Sequence, residues 1–204
     1  MIKTRQELKF FLVADRIMNR GMASKNLKSR MFEMLFPDYI MNYLSALRHC
    51  EYYANRGGYS PCRILSEYRF KRLGVKLGFS IGRNVFDYGL VIPHYGTVVA
   101  GAGNRIGKYA VLHTATCITS GKKVIGDGFY MSTGAKVLKN VKIADNVSVG
   151  CNAVIYNDVE NSGMFVAGNP AQPIKKSEIW YIRDGEEYGR RVALCEEYRR
   201  KMLG

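Results

Sequence analysis

An aliphatic or methionine residue recurs at every sixth position through the second half of this 204-residue chain. A helix repeats its apolar positions about every 3.6 residues and a strand every second residue, so neither element produces a strict period of six. A repeat this short is typical of a solenoid in which each hexad supplies one short strand and one tight turn. The recurring residues are Ile125, Met131, Val137, Ile143, Val149 and Ile155.

A second set of inward candidates stands four positions after each member of the first set. Three hexads make one triangular coil, so residues 106–123, 125–142 and 143–160 predict three coils. One extra residue between Ile118 and Ile125 marks an offset at a corner. The second set is Phe129, Ala135, Val141, Val147, Ala153 and Val159, and the coil at 106–123 repeats the pattern with Ile106, Leu112 and Ile118 followed by Ala110 and Thr116.

The regions on either side of the array have a different character. Before Ile106 the period is poor, and residues 100–104 form a loop rich in glycine and alanine. Helical spacing predicts one helix after the Thr4 capping box, a second over about 38–55, and a third over about 60–73 that ends at Gly74. A charged helix opens near Ser177, with breaks near Gly185 and Gly189. We therefore divide the chain into a helical region (1–73), a β-helix domain (74–176) and a C-terminal helical extension (177–204).

Composition limits the possible partners. There are 31 lysines and arginines against 17 acidic residues, a net charge of +14, which indicates an anionic partner such as nucleic acid, a membrane surface or a phosphorylated cofactor. No nucleic-acid-binding motif is present, so we expect no nucleic-acid partner. The apolar stretch at 10–14 is too short to span a bilayer and no signal peptide is visible, so we expect no stable membrane insertion. Five cysteines without a CxxC pair indicate reduced thiols and a cytoplasmic location.

Two motifs accompany the hexads: His94 within IPHYGTVV at residues 92–99, and the turn AGNPA at residues 167–171. Together they resemble the hexapeptide-repeat acetyltransferases, specifically the serine acetyltransferase-like branch, over about residues 75–176. The helical part, with ADR at residues 14–16, further resembles members associated with bacterial surface-polysaccharide synthesis. The resemblance implies a mainly β solenoid, namely a left-handed parallel β-helix with an N-terminal α-helical region and a C-terminal helix.

The resemblance also implies an activity. We expect an acetyl-CoA-dependent O-acetyltransferase that modifies a hydroxyl of a sugar or other small acceptor, with acetyl-CoA as cosubstrate and no metal. His94 matches the catalytic histidine of the family and would be the general base. Asp87 is a candidate for orienting its imidazole, and His113 is a candidate for the acceptor pocket.

In the family, the coenzyme lies in a groove between two solenoids, and three subunits pack around a threefold axis. We therefore expect a homotrimer with each site between two subunits. The corner positions of a β-helix require small residues in any case, which is the structural alternative for the glycines. The candidate cofactor-binding residues are Ser120, Thr133, Gly134, Lys136, Ser148, Gly150, Cys151, Gly168, Pro170 and Lys176, with Lys175 as a further phosphate partner.

The sequence departs from serine acetyltransferases at three polar positions. Pro93 and Phe79 stand where the family has aspartates, and Lys122 stands near a family histidine, in a loop that is shorter here. These changes put L-serine in doubt and leave a true serine O-acetyltransferase as the alternative activity. A non-catalytic β-helical scaffold is a second alternative. A zinc-dependent carbonic anhydrase of this fold needs three histidines, and His49 lies outside the repeats.

Overall fold

The computed structural model describes residues 1–24 and 27–204, and of residues 27–30 it describes the backbone alone. Within these ranges, the helices before the repeats are α1 (Arg5–Arg20), α2 (Leu27–Leu35), α3 (Tyr39–Asn55) and α4 (Pro61–Leu77). The capping box at Thr4 and Glu7 is confirmed, as are the bounds of α3, which Asp38 caps. The sequence pattern predicts no helix at α2.

The repeats form short strands that stack as three parallel sheets, the faces of a triangular prism. The first face has the order β1-β2-β5-β8-β11, the second β3-β6-β9, and the third β4-β7-β10, which the hairpin β12-β13 extends. The strands are β1 (Phe79–Ile81), β2 (Val98–Ala100), β3 (Arg105–Ile106), β4 (Val111–Leu112), β5 (Thr116–Ile118), β6 (Val124–Ile125), β7 (Tyr130–Met131), β8 (Lys136–Val137), β9 (Lys142–Ile143), β10 (Ser148–Val149), β11 (Val154–Ile155), β12 (Met164–Gly168) and β13 (Ala171–Lys176).

The hexad prediction is confirmed at every inward position. All residues of both predicted sets are buried, none more than 8% exposed. They form one continuous apolar core that runs along the prism axis. The extra residue is also confirmed, because Ile106 pairs with Ile125, 19 residues on, whereas Ile125 pairs with Ile143, 18 residues on. The corner between β5 and β6 absorbs the difference, so later inward residues keep their places.

Residues 79–100 complete a first coil that the sequence period leaves undefined. β1 pairs with β2, and Phe86 and Val91 make single bridges to the next coil. Helix α3 closes the open end, where the Tyr43 and Phe79 rings pack edge to face with centroids 5.1 Å apart. The predicted helix stop at Gly74 is wrong: α4 runs on to Leu77, and Gly78 ends it at φ +76°. Gly74 is needed for packing, because a Cβ there would lie 2.7 Å from the Phe79 carbonyl oxygen.

The C-terminal extension covers the outside of the third face. It comprises α5 (Trp180–Arg183) and α6 (Glu186–Leu203), so the break at Gly185 is confirmed and the break at Gly189 is wrong. Trp180 is buried and donates a hydrogen bond from its indole N–H to the Tyr109 carbonyl, 2.9 Å away. With α1, these helices and the third face form a second apolar cluster. Among the described residues, no helix combines the length and the apolar character needed to cross a membrane.

Candidate active site

The candidate site lies along one edge of the prism, where each coil turns from the third face to the first. We call this edge the histidine corner; it comprises residues 92–97, 113–115, 132–135 and 150–153. Backbone hydrogen bonds stack these turns, for example from the His113 N–H to the Met131 carbonyl and from the Ser132 N–H to the Val149 carbonyl. The stack continues from the Gly150 N–H to the Val166 carbonyl, so the corner leads to the hairpin turn at 168–171.

His94 and His113 lie on neighbouring turns of this corner. Their ring centroids are 6.2 Å apart, and His94 is exposed whereas His113 is half-buried. The Nε2 atom of His113 shares a 2.8 Å hydrogen bond with the Tyr130 hydroxyl. Burial lowers the pKa of His113, and the neighbouring His94 lowers it further. His113 is thus a fixed, neutral imidazole at neutral pH beside an accessible one.

Tyr130 and Arg183 belong to this cluster, and the sequence analysis misses both. The Arg183 guanidinium lies 4.9 Å from the Tyr130 ring centroid and donates a hydrogen bond to the Ser148 hydroxyl at 3.1 Å. Arg183 also pairs with Asp184 at 2.7 Å, and Asp184 acts electrostatically on His113. No local signal could have found this contact, because α5 reaches the corner only by folding back over the third face.

The backbone that leads to His94 is held by side chains of α1. Asp15 Oδ1 accepts hydrogen bonds from the N–H groups of Gly89 and Leu90, at 2.8 and 3.1 Å. Asn19 donates to the Leu90 carbonyl at 2.7 Å and accepts from the Ile92 N–H at 3.2 Å. The first coil has no preceding coil to pair with on this face, so these two residues supply the missing hydrogen-bond partners.

Arg48 of α3 completes this anchor from the inside. Its fully buried guanidinium pairs with Asp15 at 2.8 Å and with Glu51 at 3.0 Å. It also donates hydrogen bonds to the carbonyls of Phe86 and Asp87, at 2.9 and 2.7 Å. One buried ionic network therefore joins two helices to the segment that precedes His94.

Two predicted site residues lie away from the histidine corner. Asp87 sits where the chain turns from the second face to the third, and its carboxylate accepts a hydrogen bond from the Tyr88 N–H at 2.8 Å. The structure therefore does not bring Asp87 to His94, and its predicted orienting role has no contact behind it. Ser120 lies between the first and second faces, against Gly101 and next to the stacked pair Gly121 and Ala102.

The other predicted cofactor residues follow the histidine corner. Thr133, Cys151, Gly168 and Pro170 are exposed along it, and Ser148 is buried beside it under Arg183. The glycines have packing reasons of their own. A Cβ on Gly134 would collide with the Asn152 side chain, and one on Gly150 would lie 3.0 Å from the Phe165 ring.

Lysines are available at the same edge. Lys136 lies just past the corner and donates to the Gly134 carbonyl at 3.0 Å, while Lys175 and Lys176 are exposed on β13. Across the described ranges, none of the three forms an ion pair with a carboxylate. Exposed cations without a carboxylate partner fit the phosphate groups of a coenzyme, so the residues present suit acetyl-CoA.

The three departures from the family pattern are placed as follows. Phe79 is an inward core residue and Pro93 directly precedes His94. Lys122 is exposed, and its N–H donates to Asn140 Oδ1 at 2.8 Å. His49 lies on α3, where its Nδ1 contacts the Ser45 carbonyl at 2.8 Å. In the part of the chain that the structure describes, no three His, Cys, Asp or Glu side chains are arranged to hold a metal ion.

The sequence matches no protein-family model. It is 32% identical over 127 residues to a serine acetyltransferase of Staphylococcus xylosus, covering 58% of this chain and 56% of that protein. It is 29% identical over 126 residues to one of Synechococcus elongatus, covering 57% of this chain and 49% of that protein. The chain thus spans about half the length of these curated relatives.

Solved structures agree in fold. Neisseria gonorrhoeae serine acetyltransferase superposes with a TM-score of 0.63 at 22% identity, covering 86% of this chain and 69% of that one. Soybean serine acetyltransferase complexed with serine gives 0.63 at 23% identity, covering 82% and 70%. The left-handed parallel β-helix is confirmed, and it defines a protein of the hexapeptide-repeat class. Within that class, the matched sequences are serine acetyltransferases, and this similarity supports the serine acetyltransferase-like branch of the hexapeptide-repeat acetyltransferases.

Proposed function

We propose that this protein is an acetyl-CoA-dependent O-acetyltransferase with His94 as general base. The observation that carries the proposal is the exposed His94 imidazole on a β-helix corner, 6.2 Å from the fixed His113 ring. An accessible imidazole can act as a general base, and the corner beneath it continues toward three exposed lysines. The similarity to serine acetyltransferases supports the same reaction class.

In this mechanism His94 accepts the proton of the acceptor hydroxyl as the oxygen attacks the thioester carbonyl. The bond to sulfur then breaks, and the His94 imidazolium returns its proton to the departing thiolate, so the proton balance closes. His113, held by Tyr130, faces the same space and offers a polar contact to the acceptor. Asp15, Asn19 and Arg48 position the backbone that carries His94.

Acetyl-CoA supplies the acetyl group and a thiolate leaving group when it is bound. We propose that Thr133, Cys151 and the turn at 168–170 line its path along the histidine corner. Lys136, Lys175 and Lys176 would hold its phosphates, since cations without a carboxylate partner are free to pair with them. Ser148 would support the site through Arg183 and not contact the coenzyme itself, because its hydroxyl already accepts a hydrogen bond from Arg183.

L-serine is the acceptor that the comparisons favour, because the matched sequences are serine acetyltransferases. A sugar hydroxyl, the acceptor first expected from the sequence, is the second candidate. It is supported by Phe79, Pro93 and Lys122, which replace polar residues of the serine-binding pattern. An acetyltransferase with either acceptor would use the same base.

We further propose a homotrimer with each site between two copies. Across the described residues no carboxylate is hydrogen-bonded to His94, and Ser120 lies on another edge of the prism. A groove between two copies would bring the histidine corner of one copy next to the edge that carries Ser120 in the other. Static light scattering at about three times the chain mass is the expected result, and a monomer would overturn this arrangement.

The cytoplasmic location predicted from the cysteines, all five of them free thiols, stays a prediction.

The test is thiol release from acetyl-CoA with L-serine and with a panel of sugars and nucleotide sugars. We expect His94→Ala to lower turnover by about a hundredfold or more, the usual contribution of a general base. His49→Ala removes a histidine outside the site and is the matched control. Coenzyme binding without turnover on any acceptor would instead support the scaffold alternative, and full activity in His94→Ala would exclude this base.

A further inference from the structure

Helix α2 and the residue after it expose an unusual amount of apolar surface. Over residues 31–36, five large apolar side chains are between 62% and 80% exposed. Single exposed apolar residues are ordinary, but a contiguous group of this size marks an interaction site. The group comprises Met31, Phe32, Met34, Leu35 and Phe36; we call it the α2 patch.

Over the described side chains of α2, from residue 31 onward, the polarity is inverted relative to a helix that packs on its own core. Glu33, the acidic residue among them, is half-buried and acts electrostatically on Arg16 of α1. The apolar side chains of the α2 patch are exposed to solvent, and the rings of Phe32 and Phe36 have centroids 4.8 Å apart. A surface helix normally turns its apolar face inward. The outward face is therefore arranged for a partner outside the chain.

A groove that carries three cations begins shortly after the α2 patch in the chain. It has a volume of about 400 Å³ and is bordered by Tyr39, Tyr68, Arg69, Arg72 and Lys76. The described residues that line it include no acidic residue. Lys76 lies 3.7 Å from the centroid of the Tyr39 ring, and Tyr39 follows Phe36 by three residues in the sequence. The α2 patch and these cations, which Tyr39 links along the chain, together offer an apolar and cationic surface.

We propose that this surface docks the protein on an anionic lipid bilayer. The α2 patch would enter the boundary between headgroups and acyl chains, and Arg69, Arg72 and Lys76 would contact lipid phosphates. The net charge of +14 acts in the same direction. A symmetric contact between two copies fits less well, because it would bring together two surfaces of the same positive charge on copies of net charge +14. The docking is peripheral and independent of the acetyl-transfer proposal.

The experiment is co-sedimentation of the full chain with vesicles of phosphatidylglycerol and phosphatidylcholine in equal parts, and with phosphatidylcholine alone. We expect binding to the anionic vesicles that weakens as salt is raised. The double variant Phe32→Ser with Phe36→Ser should bind at least tenfold more weakly, since two exposed aromatic side chains no longer enter the interface. Arg72→Gln and Lys76→Gln should each weaken binding roughly fivefold.

Val124→Ser with Ile174→Ser is the matched control, because both residues are exposed apolar side chains on strands. Circular dichroism and light scattering on every variant verify fold and assembly. Binding that is equal for the double variant and the control, or equal on neutral and anionic vesicles, overturns the proposal. A wild type that ignores both vesicles, with a double variant of smaller oligomeric mass, assigns the patch to a second copy instead.

Discussion

The side-chain oxygen of Asn19 accepts a hydrogen bond from the Ile92 N–H at 3.2 Å, two residues before His94. The same side chain donates a hydrogen bond to the Leu90 carbonyl at 2.7 Å, so one residue of α1 holds the backbone at two points just before the proposed base. Preceding-coil backbone would normally provide such contacts in a solenoid. Here the helical region completes the coil, which links the N-terminal helices directly to the chemistry.

We expect Asn19→Ala to lower kcat about tenfold or more while the KM for acetyl-CoA changes little, because small misplacements of a reacting group are costly. Steady-state thiol release measures both constants. Asn55→Ala is the control, since Asn55 also bonds backbone and a neighbouring side chain but lies away from His94. If both variants lose the same fraction of kcat, Asn19 has only a structural role.

The buried network around Arg48 predicts a large effect on stability. Arg48→Met leaves the carboxylates of Asp15 and Glu51 buried without their partner, so we expect a loss of about 3–5 kcal/mol. Arg20→Met removes a more exposed partner, which pairs with Asp38 at 2.6 Å, and should cost about 1 kcal/mol or less. Urea unfolding of both variants provides the comparison, and equal losses would contradict the assigned burial.

His113 predicts a stability change in mild acid. Its pKa is lowered from 6.5 first by burial and then by His94, although Asp184 opposes the shift. The folded chain therefore binds fewer protons than the unfolded chain as the pH falls below about 6.5, so this contribution to stability is complete above that pH and is lost below it. His113→Gln should flatten the pH dependence of unfolding between pH about 7 and about 5. An unchanged slope, with His49→Gln as the parallel control, would argue against a half-buried neutral His113.

Glu196 predicts a loss of stability at a lower pH than His113 does, through the contacts that hold α6 on the third face. Burial would raise the pKa of Glu196, but hydrogen bonds from Tyr109, Arg199 and Tyr88 outweigh it and lower the pKa to about 2. This stabilisation is present above the ordinary carboxylate range near 4.5 and is lost as the pH falls toward about 2. Glu196→Gln should remove it, at a cost of about 1–2 kcal/mol at neutral pH once solvent screening is allowed for. Glu197→Gln, on the exposed side of α6, should leave acid unfolding as it is in the wild type.

The repeat core could be read from the sequence because a period of six is a local property. Each hexad places its own inward residue, and Ile125 or Val149 needs no knowledge of distant parts of the chain. The first coil could not be read in the same way, since its missing partners, Asp15 and Asn19, come from a helix more than seventy residues earlier in the sequence. Gly74 was misread for a related reason: glycine marks both a helix end and a close contact, and only the Phe79 carbonyl distinguishes them here.

The candidate site was predictable where a motif carried it and not elsewhere. The IPHYGTVV segment identified His94, and the resemblance drew attention to His113. Tyr130 and Arg183 escaped notice because they meet only after the C-terminal extension folds back across the third face. Asp87 is the candidate for orienting His94, but the six residues between them take the chain around a corner of the prism and onto another face.

The corner between β5 and β6 accommodates a coil of 19 residues next to coils of 18. The number of residues at that corner can therefore differ between coils while the inward positions of the core stay the same. Residues can be gained or lost there during evolution without moving any later inward side chain to the outer surface of the prism. Lys122 lies in this same segment and is exposed, so the surface of this corner can change while the apolar core beneath it stays as it is.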